Sequence, residues 1–135
     1  MRVSCRCGET EIEIPAAPIV QFFCHCDDCQ AVHGAAYVPE SVYAADAVTI
    51  AKGEPASWTL KRNPRFFCRN CGIRLFIEVA ALKLRGLNGY LLSHEAFRPQ
   101  FHMNCRFAVR PVADALPHYQ GRPPQFGGTD DRADW

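Results

Sequence analysis

The sequence predicts a mainly β protein: a small, zinc-stapled antiparallel β-sheet domain with little helix. Three observations lead to this fold class. Short strand candidates follow one another at close intervals, with Gly, Pro or Asn in the segments between them, as is typical of antiparallel sheets. No stretch keeps a helical period of apolar residues over several turns. Cysteine is followed directly by glycine at Cys7-Gly8 and Cys71-Gly72, a pattern that is typical of zinc knuckles.

The first elements follow from the order of apolar residues. Residues 9–14 alternate polar and apolar side chains, which is the period of a half-buried strand. The continuous apolar run at residues 19–23 predicts a buried strand that leads into Cys24. Residues 27–33 predict a single short helical segment that Gly34 closes.

The later strand candidates are rich in apolar residues and lie between turn signals. They are residues 36–38, 47–51, 57–61, 65–67, 73–79, 83–87, 89–92, 101–105 and 108–112. Asn88-Gly89 predicts a tight hairpin between two of them, because both residues tolerate a positive φ. In residues 101–105, strand alternation would place Phe101, Met103 and Cys105 on one face.

Length and composition indicate one globular domain. The chain has 135 residues, of which 48% are hydrophobic and 21% are charged, close to globular averages. We assign the zinc-binding β domain to residues 1–120 and predict a flexible tail at residues 121–135, where Gly, Pro and Asp are concentrated. The longest apolar run is far too short to span a bilayer, so we expect no membrane association.

The N-terminal residues include no apolar segment of the kind that a secretory signal needs, so we expect a cytoplasmic protein. Thiols stay reduced in that compartment, and the eight cysteines are then expected to be metal ligands instead of a disulfide framework. The formal net charge is +1, and seven thiolates (−7) with two Zn²⁺ ions (+4) would change it to −2. Because the chain also lacks a basic run, we expect no binding to nucleic acid.

Four cysteines in two pairs predict a closed structural zinc site. Cys5 and Cys7 lie near the N-terminus, and Cys68 and Cys71 follow about sixty residues later. Four thiolates complete a tetrahedral zinc centre. The glycine after each pair lets the backbone turn tightly, so that peptide N–H groups can point at the sulfurs. This zinc would connect the N-terminus to the middle of a small sheet.

Cys24, Cys26 and Cys29 form a second cluster. Three thiols within six residues cannot pair into disulfides without a remainder, whereas zinc accepts three thiolates and keeps its fourth position open in zinc enzymes. We therefore predict a second zinc ion with a catalytic type of ligand set. The alternative is a closed structural site that a distant fourth ligand completes. Cys105 could be that ligand, or it could be a small buried apolar residue, as free cysteines often are.

Together these motifs resemble the glutathione-dependent formaldehyde-activating enzyme family, often called GFA, to which centromere protein V is also similar. The resemblance spans most of the chain. The residues that carry it are Cys5-x-Cys7-Gly8, Cys24-His25-Cys26-x-x-Cys29, Phe67-Cys68-x-x-Cys71-Gly72, His102, Asp114-Ala115-Leu116-Pro117-His118-Tyr119 and Pro124-Gln125-Phe126-Gly127-Gly128.

The resemblance implies a β-tent fold and two Zn²⁺ ions. The structural zinc would be held by Cys5, Cys7, Cys68 and Cys71, and the second, catalytic zinc by Cys24, Cys26 and Cys29. It also implies a carbon–sulfur lyase that acts on a small-molecule thiol or thiol adduct, such as S-hydroxymethylglutathione formed from glutathione and formaldehyde. The competing hypothesis is a zinc-ribbon-type binding module with two closed structural zinc sites. The fourth ligand of the second zinc distinguishes the two hypotheses.

Overall fold

A computed structural model of the protein describes residues 1–135 and confirms the predicted mainly β fold, with one short α-helix. The strands, numbered in chain order, are β1 (Arg2–Ser4), β2 (Glu11–Glu13), β3 (Val20–Cys24), β4 (Val38–Ala44), β5 (Thr49–Lys52), β6 (Ala56–Leu60), β7 (Asn63–Phe67), β8 (Arg74–Val79), β9 (Leu84–Asn88) and β10 (His102–Met103). The helix is α1 (Asp27–His33). The chain forms two compact units, residues 1–20 with 41–97 and residues 21–40 with 98–135.

The first unit is built from antiparallel strands. In one sheet β2 lies between β1 and β5, and four further strands pair in the order β6-β7-β8-β9. The alternation predicted for residues 9–14 is present, because Ile12 and Ile14 are fully buried and Glu13 is exposed. Burial of such side chains is the main favourable term in folding. They form one core with Val3, Cys5, Tyr43, Val48, Cys68, Leu75, Phe76 and Leu87.

The hairpin predicted at Asn88-Gly89 is wrong. Asn88 ends β9 with a φ of −62°, whereas a two-residue hairpin turn of this type needs a positive φ at both central residues. The Asn88 side chain instead accepts a hydrogen bond from the backbone N–H of Tyr90 at 3.1 Å and donates one to the Arg74 carbonyl at 2.9 Å. Asn88 therefore caps a short 3₁₀ helix at Gly89–Leu91, where the sequence had predicted a strand.

The second unit contains α1 and the parallel pair β3 and β10, in which His102 lies opposite Phe23 and Met103 lies opposite Cys24. Gly34 closes α1 in the left-handed region, as predicted, with a φ of 58°. The strand predicted at residues 101–105 is shorter, because Asn104 has a φ of 57° and begins a 3₁₀ helix at Cys105–Phe107. Residues 108–112 form no strand, contrary to the prediction.

Residues 121–135, for which the composition predicts flexibility, contain a 3₁₀ helix at Pro124–Phe126 and several long-range backbone hydrogen bonds. The ring of Phe126 packs edge-on against Phe22 and Phe101. The amide of Ala133 donates to the His118 carbonyl at 2.8 Å, and the Trp135 ring lies 4.9 Å from that of His118. Two aromatic side chains thus anchor a segment whose overall composition is that of a loop.

Candidate metal centres

The first cysteine cluster lies in the first unit and brings together the four cysteines of the predicted closed zinc site. The sulfurs of Cys5, Cys7, Cys68 and Cys71 all lie within 4.8 Å of one another. Cys5 is 3.4 Å from Cys7 and 3.6 Å from Cys68, and Cys7 is 3.7 Å from Cys68. Sulfurs bound to one zinc ion at about 2.3 Å in a tetrahedron are about 3.8 Å apart. The cluster therefore fits zinc after a small expansion.

Two similar turns hold these cysteines. Gly8 and Gly72 have φ values of 77° and 75°, which favour glycine. The Gly8 amide donates to the Cys5 carbonyl at 3.0 Å, and the Gly72 amide donates to the Cys68 carbonyl at 2.9 Å. This is the reason for the cysteine-glycine pattern in the sequence, because each turn places the two sulfurs of a pair side by side.

Hydrogen bonds favour the thiolate form at two sulfurs of this cluster, Cys7 and Cys68. The backbone N–H of Cys71 lowers the pKa of Cys68 to about 6, and the side chain of Asn70 lowers the pKa of Cys7. The backbone N–H of Thr10 donates to the sulfur of Cys5 at 3.3 Å. Hydrogen bonds to a charged group stabilise that form of the group. Two of the four sulfurs thus favour the charge that a metal requires of its ligands. Burial and hydrogen bonding with Cys68 and Cys7 raise the pKa of the fourth, Cys71, to about 11.

The second cluster lies in the second unit, where β3 ends and α1 begins. Cys24 is the last residue of β3, and Cys29 lies in the first turn of α1. Cys26 is the N-cap of α1, and its sulfur accepts a hydrogen bond from the Cys29 amide at 3.2 Å, the role that Ser or Asp commonly fills. The three sulfurs lie within 4.8 Å of one another, with Cys24 and Cys29 3.6 Å apart. Their spacing also fits a zinc ion.

The thiols of the second cluster hold their protons more tightly. Hydrogen bonding with Cys26 raises the pKa of Cys24 to about 12, and burial adds to the effect. Hydrogen bonding with Cys24 and Cys26 raises the pKa of Cys29. Neighbouring thiolates repel one another, so each thiol disfavours ionisation of the next. A metal entering this cluster must therefore displace protons.

Asn104 is a contact of the second cluster that the sequence reasoning missed. Its side-chain N–H donates to the sulfur of Cys24 at 3.4 Å. The left-handed backbone at Asn104, with a φ of 57°, directs the chain away from β10 after two residues. Asparagine tolerates this conformation better than most residues. No signal in the sequence pairs residue 104 with residue 24, since the contact depends on the parallel pairing of β10 with β3.

The structure does not bring Cys105 into the second cluster. Its sulfur is absent from the group that Cys24, Cys26 and Cys29 form, and no His, Asp or Glu joins them. Cys105 is buried, with 5% of its surface exposed, and this burial raises its pKa to about 12. These features correspond to the small buried apolar residue that the sequence allowed as one of two possibilities.

A third group of polar side chains lies in the same unit and was not predicted as a site. His102 Nε2 is 2.8 Å from Asp114 Oδ2, and His118 Nε2 is 2.9 Å from Asp114 Oδ1. On its other side, His102 Nδ1 is 2.8 Å from Nε2 of His25. We call these four residues the histidine network. His25, His102 and His118 are all buried, and the side chain of Asp114 is about one-third exposed.

Aromatic rings surround the histidine network. The Phe23 and Tyr37 rings pack against His102 at 4.9 and 6.0 Å, and the Trp135 ring lies 5.3 Å from His25. Phe22 belongs to a separate ring cluster, where it stacks on Phe101 at 5.3 Å. Alternation along β3 therefore sends the side chains of Phe22 and Phe23 to different neighbours. Burial among these rings lowers the pKa of His25 to about 4 and also lowers that of His102.

The comparisons with known proteins agree with the cysteine pattern. The sequence model of a family described as "Glutathione-dependent formaldehyde-activating enzyme" matches residues 1–106. The fold is similar to that of a Rhodobacter sphaeroides protein of known crystal structure, a structural genomics target, with a TM-score of 0.58 and 20% sequence identity over 70% of this chain and 89% of that chain. No curated protein matches the chain. No helix in the structure is both long and apolar enough to cross a membrane. Because the family match covers most of the chain, the protein belongs to the glutathione-dependent formaldehyde-activating enzyme family.

Proposed function

We propose that this protein is a zinc-dependent carbon–sulfur lyase that acts on a small-molecule thiol adduct, such as S-hydroxymethylglutathione. The observation that carries the proposal is the second cluster, in which Cys24, Cys26 and Cys29 group together without a fourth protein ligand. Three protein ligands and one free position are typical of catalytic zinc sites, whereas structural sites have four. The family match supports glutathione and formaldehyde as the related molecules.

The reaction needs a site that can receive a sulfur atom. In the adduct RS–CH₂–OH, the carbon–sulfur bond breaks, the hydroxyl proton leaves oxygen, and a carbonyl forms as formaldehyde departs. The electron pair of the broken bond stays on sulfur, which takes up a proton when the free thiol leaves. A zinc ion held by these cysteines would supply a free coordination position that stabilises the departing sulfur as a thiolate.

The residues of the chain set the properties of that position. Three cysteine thiolates on one Zn²⁺ ion give the centre a net charge of about −1, which suits a soft sulfur ligand better than a hard oxygen ligand. The Asn104 amide, 3.4 Å from the Cys24 sulfur, offsets part of the charge on that ligand. We propose that the first cluster, with its four sulfurs, holds the other Zn²⁺ ion in a purely structural role.

The proposal is tested by metal content and thiol binding. We expect the purified protein to hold two zinc equivalents, and Cys26→Ser to lose one of them together with thiol binding. Cys105→Ser is the matched control, because Cys105 is a buried cysteine of the same unit that lies outside the cluster. It should retain both equivalents. Loss of one equivalent in Cys105→Ser would contradict the open site and favour a binding module with two closed zinc sites.

Calorimetry with glutathione in two buffers of different ionisation enthalpy gives a second test. A thiol that binds at the free position should release about one proton near neutral pH, because a metal-bound thiol is deprotonated. A thiol of different shape, such as mercaptoethanol, then shows whether the site is selective for glutathione. If neither thiol binds to protein that holds two zinc ions, the lyase proposal is wrong.

A further inference from the structure

We infer that Asp114 and His102 are positioning residues for the second cysteine cluster, and that they act through His25. The inference rests on the proposed function in one respect, since it assumes that Cys24, Cys26 and Cys29 bind a zinc ion. His25 lies between two of those ligands in the chain, and a continuous series of hydrogen bonds connects its ring to the carboxylate of Asp114. The network thus fixes the conformation of the segment that carries the ligands.

The direction of each hydrogen bond follows from Asp114. Burial would raise the pKa of this carboxyl group, but hydrogen bonds from the His102 side chain and the Leu116 amide outweigh it and lower the pKa. An ionised carboxylate can only accept hydrogen bonds, so His102 donates to it through Nε2–H. Burial lowers the pKa of His102, so its ring is neutral and its Nδ1 is an acceptor. Nε2–H of His25 must then donate to that Nδ1. The carboxylate thereby selects one tautomer in each of two successive rings.

This arrangement leaves Nδ1 of His25 as an unprotonated nitrogen. That atom is fully buried and has no hydrogen-bond partner. A buried acceptor without a partner is unfavourable, so the ring would turn or change tautomer if the network did not hold it. This unfavourable orientation is evidence that the hydrogen bonds from His25 through His102 to Asp114 determine the tautomer and the orientation of the His25 ring.

Hydrogen bonds to β10 and to α1 hold the backbone of His25. Its amide donates to the Met103 carbonyl at 3.0 Å, and its carbonyl accepts from the Gln30 side chain at 2.7 Å. His102 contacts the ring of His25, and Asn104 contacts the sulfur of Cys24. Three consecutive residues, 102 to 104, therefore contact Cys24 and His25 at the ring, the backbone and the sulfur.

The distances favour hydrogen bonds over a third metal site. The donor atoms of His102, Asp114 and His118 lie close enough together to be considered as metal ligands. However, the two nitrogen–oxygen distances are 2.8 and 2.9 Å, which is the usual length of a charge-assisted hydrogen bond. Nitrogen and oxygen ligands about 2.0–2.1 Å from one zinc ion would be about 3.3–3.4 Å apart in a tetrahedron. The network is therefore bonded internally.

The test measures zinc release from the zinc-loaded protein into excess chelator. We expect Asp114→Ala to speed release of one of the two zinc equivalents by about tenfold to a hundredfold, the effect typical of outer-shell partners, and to leave the other equivalent unchanged. Asp114→Asn, which can accept a hydrogen bond from one histidine but donates to the other, should give a smaller effect. Asp130→Asn is the matched control, because Asp130 is an exposed carboxylate of the same unit that bonds Arg132 outside the network.

A spectroscopic measurement separates positioning from general destabilisation. In ¹⁵N NMR spectra of histidine-labelled protein, His25 and His102 should each show a single Nε2–H tautomer, and Asp114→Asn should change the tautomer of at least one ring. The first zinc equivalent serves as an internal control for folding. The inference is wrong if both Asp114 variants release zinc at the rate of the unmodified protein and leave the histidine spectra unchanged.

Two other outcomes are also informative. A third metal equivalent that disappears in His118→Ala would show that the network binds a metal ion, which would overturn the positioning role. If the unmodified protein binds only one zinc ion, the failure lies with the proposed function, and the inference falls with it. That result appears before any Asp114 variant is measured, so the two failures can be told apart.

Discussion

The two cysteine clusters differ in how their surroundings change the pKa of the thiols. In the first cluster, amide and side-chain donors lower the pKa of Cys7 and bring that of Cys68 to about 6, whereas burial and hydrogen bonding with Cys68 and Cys7 raise that of Cys71 to about 11. In the second cluster, the thiols raise one another's pKa, to about 12 at Cys24. The difference arises because the Asn70 side chain and the Cys71 backbone N–H donate to Cys7 and Cys68, whereas the sulfurs of the second set are closely spaced on a strand end and a helix start.

This comparison shows how one chain can hold two metal sites for different purposes. The first cluster connects residues that are distant in sequence, so a metal bound there would contribute to joining them. The second cluster uses ligands from one short segment, so the metal contributes little to joining distant parts of the chain. β10 and the following residue, Asn104, supply its long-range contacts instead.

The largest effect is expected from Cys68→Ala in the first cluster. Structural zinc contributes directly to folding free energy, so we expect the variant to lose one zinc equivalent and at least about 5 kcal/mol of stability. Thermal unfolding together with metal analysis measures both losses. Cys26→Ser in the second cluster should lose its zinc with a much smaller shift of the midpoint. Equal shifts in the two variants would remove the distinction between the clusters.

A second effect should appear on acidification. Protons compete with zinc for thiolates. In the first cluster the pKa of Cys71 is raised to about 11, but that of Cys7 is lowered and that of Cys68 is about 6, so two of the four sulfurs resist protonation. The raised pKa of Cys24 means that protons bind the second cluster already above neutral pH. We therefore expect zinc to leave the second cluster first as the pH falls, with midpoints about one pH unit apart or more. A chromophoric chelator used between pH 8 and pH 4 should detect two steps.

A smaller effect is expected at the glycines that shape the clusters. Gly72 in the first unit and Gly34 after α1 have φ values of 75° and 58°, and an added Cβ would contact nothing within 4 Å at either position. Backbone strain alone therefore determines the outcome, and each change to alanine should cost about 1 kcal/mol. Chemical denaturation measures the loss. Gly72→Ala should in addition weaken the first zinc site, and Gly34→Ala should leave that site unchanged.

The local signals in the sequence were reliable where the chain itself determines the geometry. The alternation around Ile12 predicted a half-buried strand, and the helix at Asp27–His33 with its glycine cap was predicted to the residue. Most of β4 (Val38–Ala44) was not predicted. Both faces of this strand are largely buried, so its residues do not alternate between buried and exposed positions. The hairpin at Asn88-Gly89 failed because the side chain of Asn88 found a buried partner in the Arg74 carbonyl.

By itself, the sequence determined the mainly β class, the family and the grouping of seven cysteines into sets of four and three, because spacing and glycine turns are local properties of the chain. Tertiary structure alone decided that His102 and Asp114 connect to His25, that Asn104 donates to Cys24 and that Cys105 stays apart. The contacts of His102 with His25 and of Asn104 with Cys24 depend on β10 pairing with β3. These two pairs are separated by 77 and 80 positions, and no periodicity or spacing encodes which strand lies beside which.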